Sequence, residues 1–353
     1  MLRVQKEGVI LKPTSLPFEN KSVFNPGIYQ DGESVHIFYR AMDKDNVSCI
    51  GYARLAGPTK VVERWEEPFM CPRYRYEKFG LEDPRVVKIG DTFYMTYVVH
   101  DGKNALVALA SGKDLFRLVK RGVISPNFSY DYASKYFDDS KLKDKYFFFK
   151  SYYKDGVGPR VKVWDKDAFF FPEKIKGRFA LVHRILPDVQ VAYADRMTAY
   201  KKSSYWKGNL KRLYNHVILE SIHHFESRNV GGGCPPIKTE YGWLLIYHGV
   251  EPLNKGRLYH AGAALLSKND PTKVIARLPY PLFSPSKPWE RQGHVHNVVF
   301  PTGTAQFKDR LYIYYGAADS YVACASIRLP QLLKEILKYK KGYTYTLHRK
   351  INN

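Results

Sequence analysis

The chain has 353 residues, with 56 lysines and arginines against 34 aspartates and glutamates, a formal net charge of +22. It is long enough for one large domain or two ordinary ones, and it holds no run of 18 or more apolar residues, so no transmembrane helix and no membrane partner are expected. The lysines are spread rather than clustered, without zinc-finger spacing, an RNP-like motif or a basic recognition helix, so nucleic acid is not an expected partner despite the charge. The segment Met1–Glu7 lacks the apolar core of a secretory signal. Cys49, Cys71, Cys234 and Cys324 show neither metal-like nor paired spacing, which predicts reduced, mostly buried thiols in a cytoplasmic protein.

Taken in order, five segments repeat one pattern, a polar turn followed by a strand rich in aromatic and β-branched residues. They are Asp31-Gly32 into Val35–Ala41, Gly90-Asp91 into Thr92–His100, Lys176-Gly177 into Arg178–Leu186, Tyr241-Gly242 into Trp243–Val250, and Lys308-Asp309 into Arg310–Ala317. A second, small-residue strand follows each one: Ile50–Ala53, Ala105–Ala110, Val189–Ala194, Gly262–Leu266 and Val322–Ile327. A proline near the start of another strand precedes each: Pro26, Pro84, Pro172, Pro236 and Pro301.

A unit of about 60 residues built from short strands predicts an all-β chain, a single five-bladed β-propeller domain over 1–353. A β-sandwich needs similar strands but no common period. The longer interval between Pro84 and Pro172 predicts a partly helical insertion over about 125–165. Leu332, Leu333, Ile336 and Leu337 at helical spacing predict a terminal helix over about 329–340.

In such a fold the proline strands line one channel, so residues flanking the prolines converge. That reasoning collects Asn25, Glu82, Asp83, Arg85, Glu173, Lys174, Glu226, Arg228, Asn229, His296 and Asn297. Neighbouring strand ends add Arg40, Asp43, His100, Asp101, His183, Arg184, Tyr247, His248 and Asp319. Phe79-Gly80-Leu81-Glu82-Asp83-Pro84-Arg85-Val86 stands at the centre, two acids and an arginine at a strand mouth. The histidines lack a metal-ligand spacing, and His294 with His296 reads as substrate contact or structure, so no metal and no cofactor are expected.

These residues also resemble a known family. Phe24-Asn25-Pro26-Gly27, Phe38-Tyr39-Arg40, Gly80–Val86, Phe171-Pro172-Glu173-Lys174-Ile175, Gly231–Pro236, Gly242–Val250 and Tyr315–Asp319 are similar, in order and spacing, to glycoside hydrolase family 130, the β-mannoside phosphorylases and β-1,2-mannosidases. The resemblance covers about residues 20 to 327. It implies a five-bladed propeller that cleaves terminal β-mannosides, β-1,2-linked mannooligosaccharides above all, with inversion. Asp83 matches the family's proton donor, which acts through the mannose 3-hydroxyl. Asn25, Arg40 and Asp319 fall where the family holds the non-reducing mannose. Glu82, Arg85, Asp101, Tyr247 and His248 are the further substrate-binding candidates.

The nucleophile is open between water and phosphate. Inversion needs an acid on one side of the sugar and a nucleophile on the other. Phosphate calls for arginine forks, and water for a carboxylate base. Many family members carry arginine after the Phe-Pro pair and lysine before the glycine-rich turn; this chain has Glu173 and Asn229 there. Those exchanges tip the balance toward water, with Glu173 or Glu226 as base. Against it stand Arg184, Arg228 and His183 as candidate phosphate ligands, which would make inorganic phosphate a co-substrate. The expected partner is a mannose-containing oligosaccharide, with a homo-oligomer open. The rival readings are a family-43-type arabinanase or xylosidase and a non-catalytic sugar-binding propeller.

Overall fold

The aromatic and β-branched runs form strands whose two faces are both covered, which is why they read as nearly continuous apolar stretches rather than as alternating ones. The computed structural model describes residues 2–137 and 142–340. The first meander runs through β2 (Ser22–Asp31), β3 (Ser34–Met42), β4 (Ser48–Ala56) and β5 (Lys60–Arg64). The second is β6 (Gly80–Ile89), β7 (Thr92–His100), β8 (Ala105–Gly112) and β9 (Val119–Val123), joined to the first by a parallel contact of Ser48 with Gly80. The third is β10 (Lys166–Phe170), β11 (Phe179–Arg184), β12 (Val189–Ala194) and β13 (Val217–Leu219). In the fourth, β14 (Asn229–Gly232) and β15 (Ile237–Lys238) both pair with β16 (Trp243–Pro252), followed by β17 (Arg257–Leu266) and β18 (Val274–Arg277). The last is β19 (Val299–Phe307), β20 (Arg310–Ala317) and β21 (Tyr321–Arg328), and β1 (Gln5–Leu11) pairs antiparallel with β21.

The apolar clusters lie between successive meanders. Phe38 and Tyr52 join Val86 and Tyr97; Val107 and Leu109 join Phe170 and Leu181. In β16 the period of two divides the work. Trp243, Leu245 and Tyr247 cluster with Phe169 and Val182 of the third meander, while Leu244 and Ile246 cluster with Ile313 and Tyr315 of the last. Tyr314 and Val322 then join Val23 and Ile37, so the last meander packs back on the first. At the tight hairpin between β2 and β3, Gly32 takes φ +55°, the left-handed conformation that a two-residue loop needs.

The third unit corrects the expected register. Pro172 follows β10 instead of opening a strand, and the residues that occupy the place of Asn25-Pro26 and Asp83-Pro84 are Asp167-Ala168. Pro236 sits between β14 and β15.

Within the segment expected as an insertion, α1 (Tyr130–Phe137) and α2 (Asp144–Val157) are helical; residues 138–141 lie outside the described residues, as does the tail 341–353. Tyr146, Phe149 and Tyr153 recur at helical spacing on the buried face of α2 and meet Ile185, Leu186 and Leu210, the last from helix α3 (Ser203–Leu210). Helix α5 (Leu329–Leu337), which follows the short α4 (Pro288–Arg291), buries Leu332, Leu333 and Ile336 against the last two meanders.

Candidate active site

Three inner strands break their ladders at matching points. The register shifts between Phe24 and Gly27 in β2, between Glu82 and Arg85 in β6, and between Lys166 and Phe169 in β10. At each break one residue takes a positive φ: Asn25 at 48°, Asp83 at 51° and Asp167 at 54°. Asn and Asp are the non-glycine residues that tolerate this conformation best. A bulge re-aims a side chain off the strand's alternation, and strain held at such points is a mark of function. Asn297, before β19, and Asp319, after β20, share the conformation at φ 61° and 49°.

These breaks bring acids, amides and arginines together. Asn25 Nδ2 donates to Asp83 Oδ1 at 2.8 Å. Arg40 on β3 reaches Glu82 Oε1 at 3.0 Å and lies 3.9 Å from Asp83 Oδ1, while its Nε donates to Ser48 Oγ at 2.9 Å. Lys166 Nζ takes the other Glu82 oxygen at 2.9 Å. Burial works against the Glu82 carboxylate, but Arg40, Lys166 and His100 outweigh it and hold the carboxyl at about 2. Glu82 therefore stays ionised and fixes two cations around Asp83. Asp319 is the opposite case. Burial, helped by Asp83 and Glu82 and resisted by Arg40 and Lys166, pushes its carboxyl up to about 6.

Arg85 is buried and braces the backbone beneath. Its Nε donates to Gly233 O at 2.7 Å and its Nη1 to Asp83 O at 2.9 Å. Among the described residues its Nη2 has no hydrogen-bond partner, nor do both ring nitrogens of His248. Burial and the cations of Arg184 and Arg85 keep His248 neutral, with Nε2 3.7 Å from Asp167 Oδ2. Orphaned polar atoms this concentrated mark a site rather than a packed core.

Lys166 links the acid cluster to a cavity of about 310 Å³ lined by Lys166, Arg184, Arg228, Arg257, Asn229 and Tyr259, with Tyr152 and Tyr153 of α2 as the outer wall. Arg184 Nε is 2.9 Å from Asp167 Oδ2, Arg228 Nη1 donates to Asn229 Oδ1 at 2.6 Å, and Arg257 Nη2 to the Tyr152 hydroxyl at 2.9 Å. Arg228 also stacks over Phe149, 5.0 Å from its ring centroid. Among the described residues four cations line this wall and no carboxylate does. Its chemistry suits an anion.

Of the residues given a catalytic, sugar-binding or phosphate-binding role from the sequence, Asn25, Arg40, Glu82, Asp83, Arg85 and Asp319 gather on the acid side, Arg184 and Arg228 line the cavity, and His248 lies against Asp167. Five with such a role do not join them, and each has a physical reason. Glu173 is exposed and paired with Lys238 at 2.7 Å. Lys238 faces Trp243 at the start of β16, whereas Gly231 faces His248 near its end, so Glu173 sits at the far end of the sheet from the acids. Glu226 is fully buried, and its oxygens are taken by Arg277 Nη2 and the Tyr247 hydroxyl at 2.6 Å and by the backbone N–H groups of Ile222 and His223. Neither carboxylate is placed to activate a water on the sugar face opposite Asp83. Tyr247, bound to Glu226, points between the third and fourth meanders. Asp101 accepts from the N–H groups of Lys103 and Asn104 and closes the β7–β8 turn. His183 turns away from the cavity onto Asp165, Nδ1 to Oδ2 3.0 Å, because it alternates with Arg184 along β11.

Sequence reasoning missed Lys166, Asp167, Arg257 and Tyr259. The signal for the first two was present: Lys166-Asp167-Ala168 repeats the Asx-plus-small-residue break of Asn25-Pro26 and Asp83-Pro84, hidden by registering the third unit on Pro172.

The sequence model described as β-1,4-mannooligosaccharide phosphorylase of glycoside hydrolase family 130 matches residues 5–338. A 1,2-β-oligomannan phosphorylase of Thermoanaerobacter sp. (strain X514) is 32% identical over 344 residues, 94% of this chain and 98% of that one. A β-1,2-mannobiose phosphorylase of the same strain is 34% identical, over 88% of this chain and 91% of that one. The structure of the Listeria innocua β-1,2-mannobiose phosphorylase in complex with β-1,2-mannobiose shares the fold, with a TM-score of 0.70 and 24% identity over 95% of this chain and 99% of that one. With matches of this extent, the chain belongs to glycoside hydrolase family 130.

Proposed function

We propose that the protein is an inverting phosphorylase of terminal β-mannosides, β-1,2-linked mannooligosaccharides first among them, and that its five meanders are the blades of one propeller. The cyclic packing of each meander on the next, and of the last on the first, supports the blades. One observation carries the choice of nucleophile, the cation-lined cavity beside the acid cluster. It reverses the inference from Glu173 and Asn229. Glu173 is remote, and Arg228, Arg257 and Lys166 bring to the cavity the charge that a lysine at position 229 would have carried. Relatives of like length named as phosphorylases of β-1,2-mannobiose and of 1,2-β-oligomannan support the same reading.

In this reading Asn25, Arg40 and Asp319 hold the non-reducing mannose over Asp83. Asp83 supplies the proton to the departing glycosidic oxygen through the mannose 3-hydroxyl. Arg184, Arg228 and Arg257 hold phosphate on the opposite face of the anomeric carbon. A phosphate oxygen bonds to that carbon as the glycosidic bond breaks, giving α-mannose 1-phosphate and a shortened oligosaccharide. The cations screen the phosphate charge without a base, because phosphate is already a nucleophile.

Product analysis with β-1,2-mannobiose, in phosphate-free buffer and again with inorganic phosphate, tests this. Mannose 1-phosphate formed only with phosphate is the expected result. Free mannose alone, at one rate in both buffers, would make the enzyme a hydrolase.

A further inference from the structure

We propose that Cys49 and Cys71 are a disulfide-forming site, oxidised by hydroperoxides, on the rim beside the strand that carries Asp83. Nothing in their spacing pairs them; the backbone register does. Ile50 N–H donates to Met70 O at 2.8 Å and Met70 N–H to Ile50 O at 3.1 Å. The next antiparallel pair in that register sets Cys49 opposite Cys71 without ladder hydrogen bonds. Pairs of this kind hold their Cα atoms about 4.5 Å apart with the side chains on one face. A disulfide needs about 4.4–6.8 Å. The two Sγ atoms are 2.9 Å apart. Cys71 is exposed and Cys49 half-buried, while Cys234 and Cys324 are buried.

The surroundings assign the roles. Lys120 Nζ donates to the Cys71 carbonyl at 2.7 Å, and the Cys49 thiol together with this ammonium lowers the Cys71 thiol below its ordinary value. Cys71 is thus the attacking sulfur. Its thiolate bonds to one peroxide oxygen, the O–O bond breaks, and the departing oxygen takes up a proton, leaving water (an alcohol, from an alkyl hydroperoxide) and a Cys71 sulfenic acid. The Cys49 sulfur then displaces the sulfenic oxygen as water and the S–S bond forms. Two thiols give up two electrons and the peroxide O–O bond accepts them. The bond clamps β4 one residue from Ser48, whose hydroxyl holds Arg40 Nε.

Treatment of the enzyme with hydrogen peroxide, followed by thiol titration in denaturant, peptide mapping and melting curves, tests the site. The expected results are two titratable thiols of the original four, an intrachain Cys49–Cys71 peptide, and a Tm higher by about 5 °C that dithiothreitol reverses. Cys71→Ser should keep the reduced enzyme's activity and show no such rise. Cys49→Ser should leave Cys71 as a sulfenic acid that dimedone traps. Four thiols after oxidation, linkage only between chains, or an equal Tm rise in Cys71→Ser would overturn the proposal.

Discussion

Glu82 and Glu226 are both buried carboxylates held by an arginine, yet they belong to regions built for different ends. Glu226 lies in the wall between the third and fourth meanders, where Arg277, Tyr247 and two backbone N–H groups use up its acceptor capacity. Glu82 lies at the mouth, where Arg40 and Lys166 also face Asp83 and Asp319. The difference is what the partners are left free to do. In the wall every group is satisfied within the chain, and the network joins two sheets. At the mouth the cations are shared among several acids, and the backbone beneath is bent at Asp83 and Asp167. Burial and an ion pair therefore do not by themselves mark a catalytic acid. What sets the mouth apart is that its cations are shared and the strand beneath them is broken.

The largest expected effect tests the mouth. Asp83→Asn should lower kcat by about 10²–10⁴-fold, the range for loss of a general acid, with an unchanged melting temperature. A loss of folding instead would place Asp83 with Glu226 as a structural acid. In the wall, Glu226→Gln removes one partner of the buried pair with Arg277 and should cost about 3–5 kcal/mol of stability, read by denaturant melts, with the KM for mannobiose kept. If its effect fell on kcat and left stability alone, the wall would belong to the site.

The anion cavity sharpens the comparison from the other side. Arg257→Ala removes a charged ligand worth about 1.5–3 kcal/mol, so the KM for phosphate should rise about 10- to 100-fold while the KM for mannobiose stays within a factor of about two. Equal rises in both constants would separate Arg257 from phosphate.

Asp319 gives a smaller, pH-dependent effect. Its folded carboxyl titrates at about 6 against an ordinary 3.8, so the folded state holds the proton more tightly than the unfolded chain. The stability linked to that proton is complete below pH 3.8 and is lost as pH rises through 6. Asp319→Asn, which cannot ionise, should match wild type near pH 4 and exceed it by about 1–2 kcal/mol at pH 7, after a discount for the solvent that still reaches this largely buried side chain. A pH-independent difference would contradict this account. Glu173→Gln should be the quietest change, within about 0.5 kcal/mol and with normal turnover, since Glu173 pairs only on the exposed face with Lys238.

Local rules made much of this chain readable in advance. Strands such as Thr92–His100 and Arg310–Ala317 follow from turn residues and β-branched runs a few positions apart, whereas Asp83-Pro84, expected to open a strand, lies inside β6 at a break in its ladder. What failed was long-range. Registering the third unit on Pro172 displaced the site from Asp167 to Glu173, and a short slip along a strand moves a side chain to the other end of the sheet. His183 was lost to Arg184 by alternation alone.

From the sequence alone came the meanders, their order, the acid-bearing strand mouth and the family likeness, because each depends on neighbours within a few residues or on an ordered string of motifs. The tertiary structure decided which carboxylates have spent their partners, which cations share one cavity, and that Cys49 faces Cys71. Those depend on which strand lies beside which and in what register, and that is set by apolar packing between whole meanders rather than by the polar residues whose chemistry it arranges.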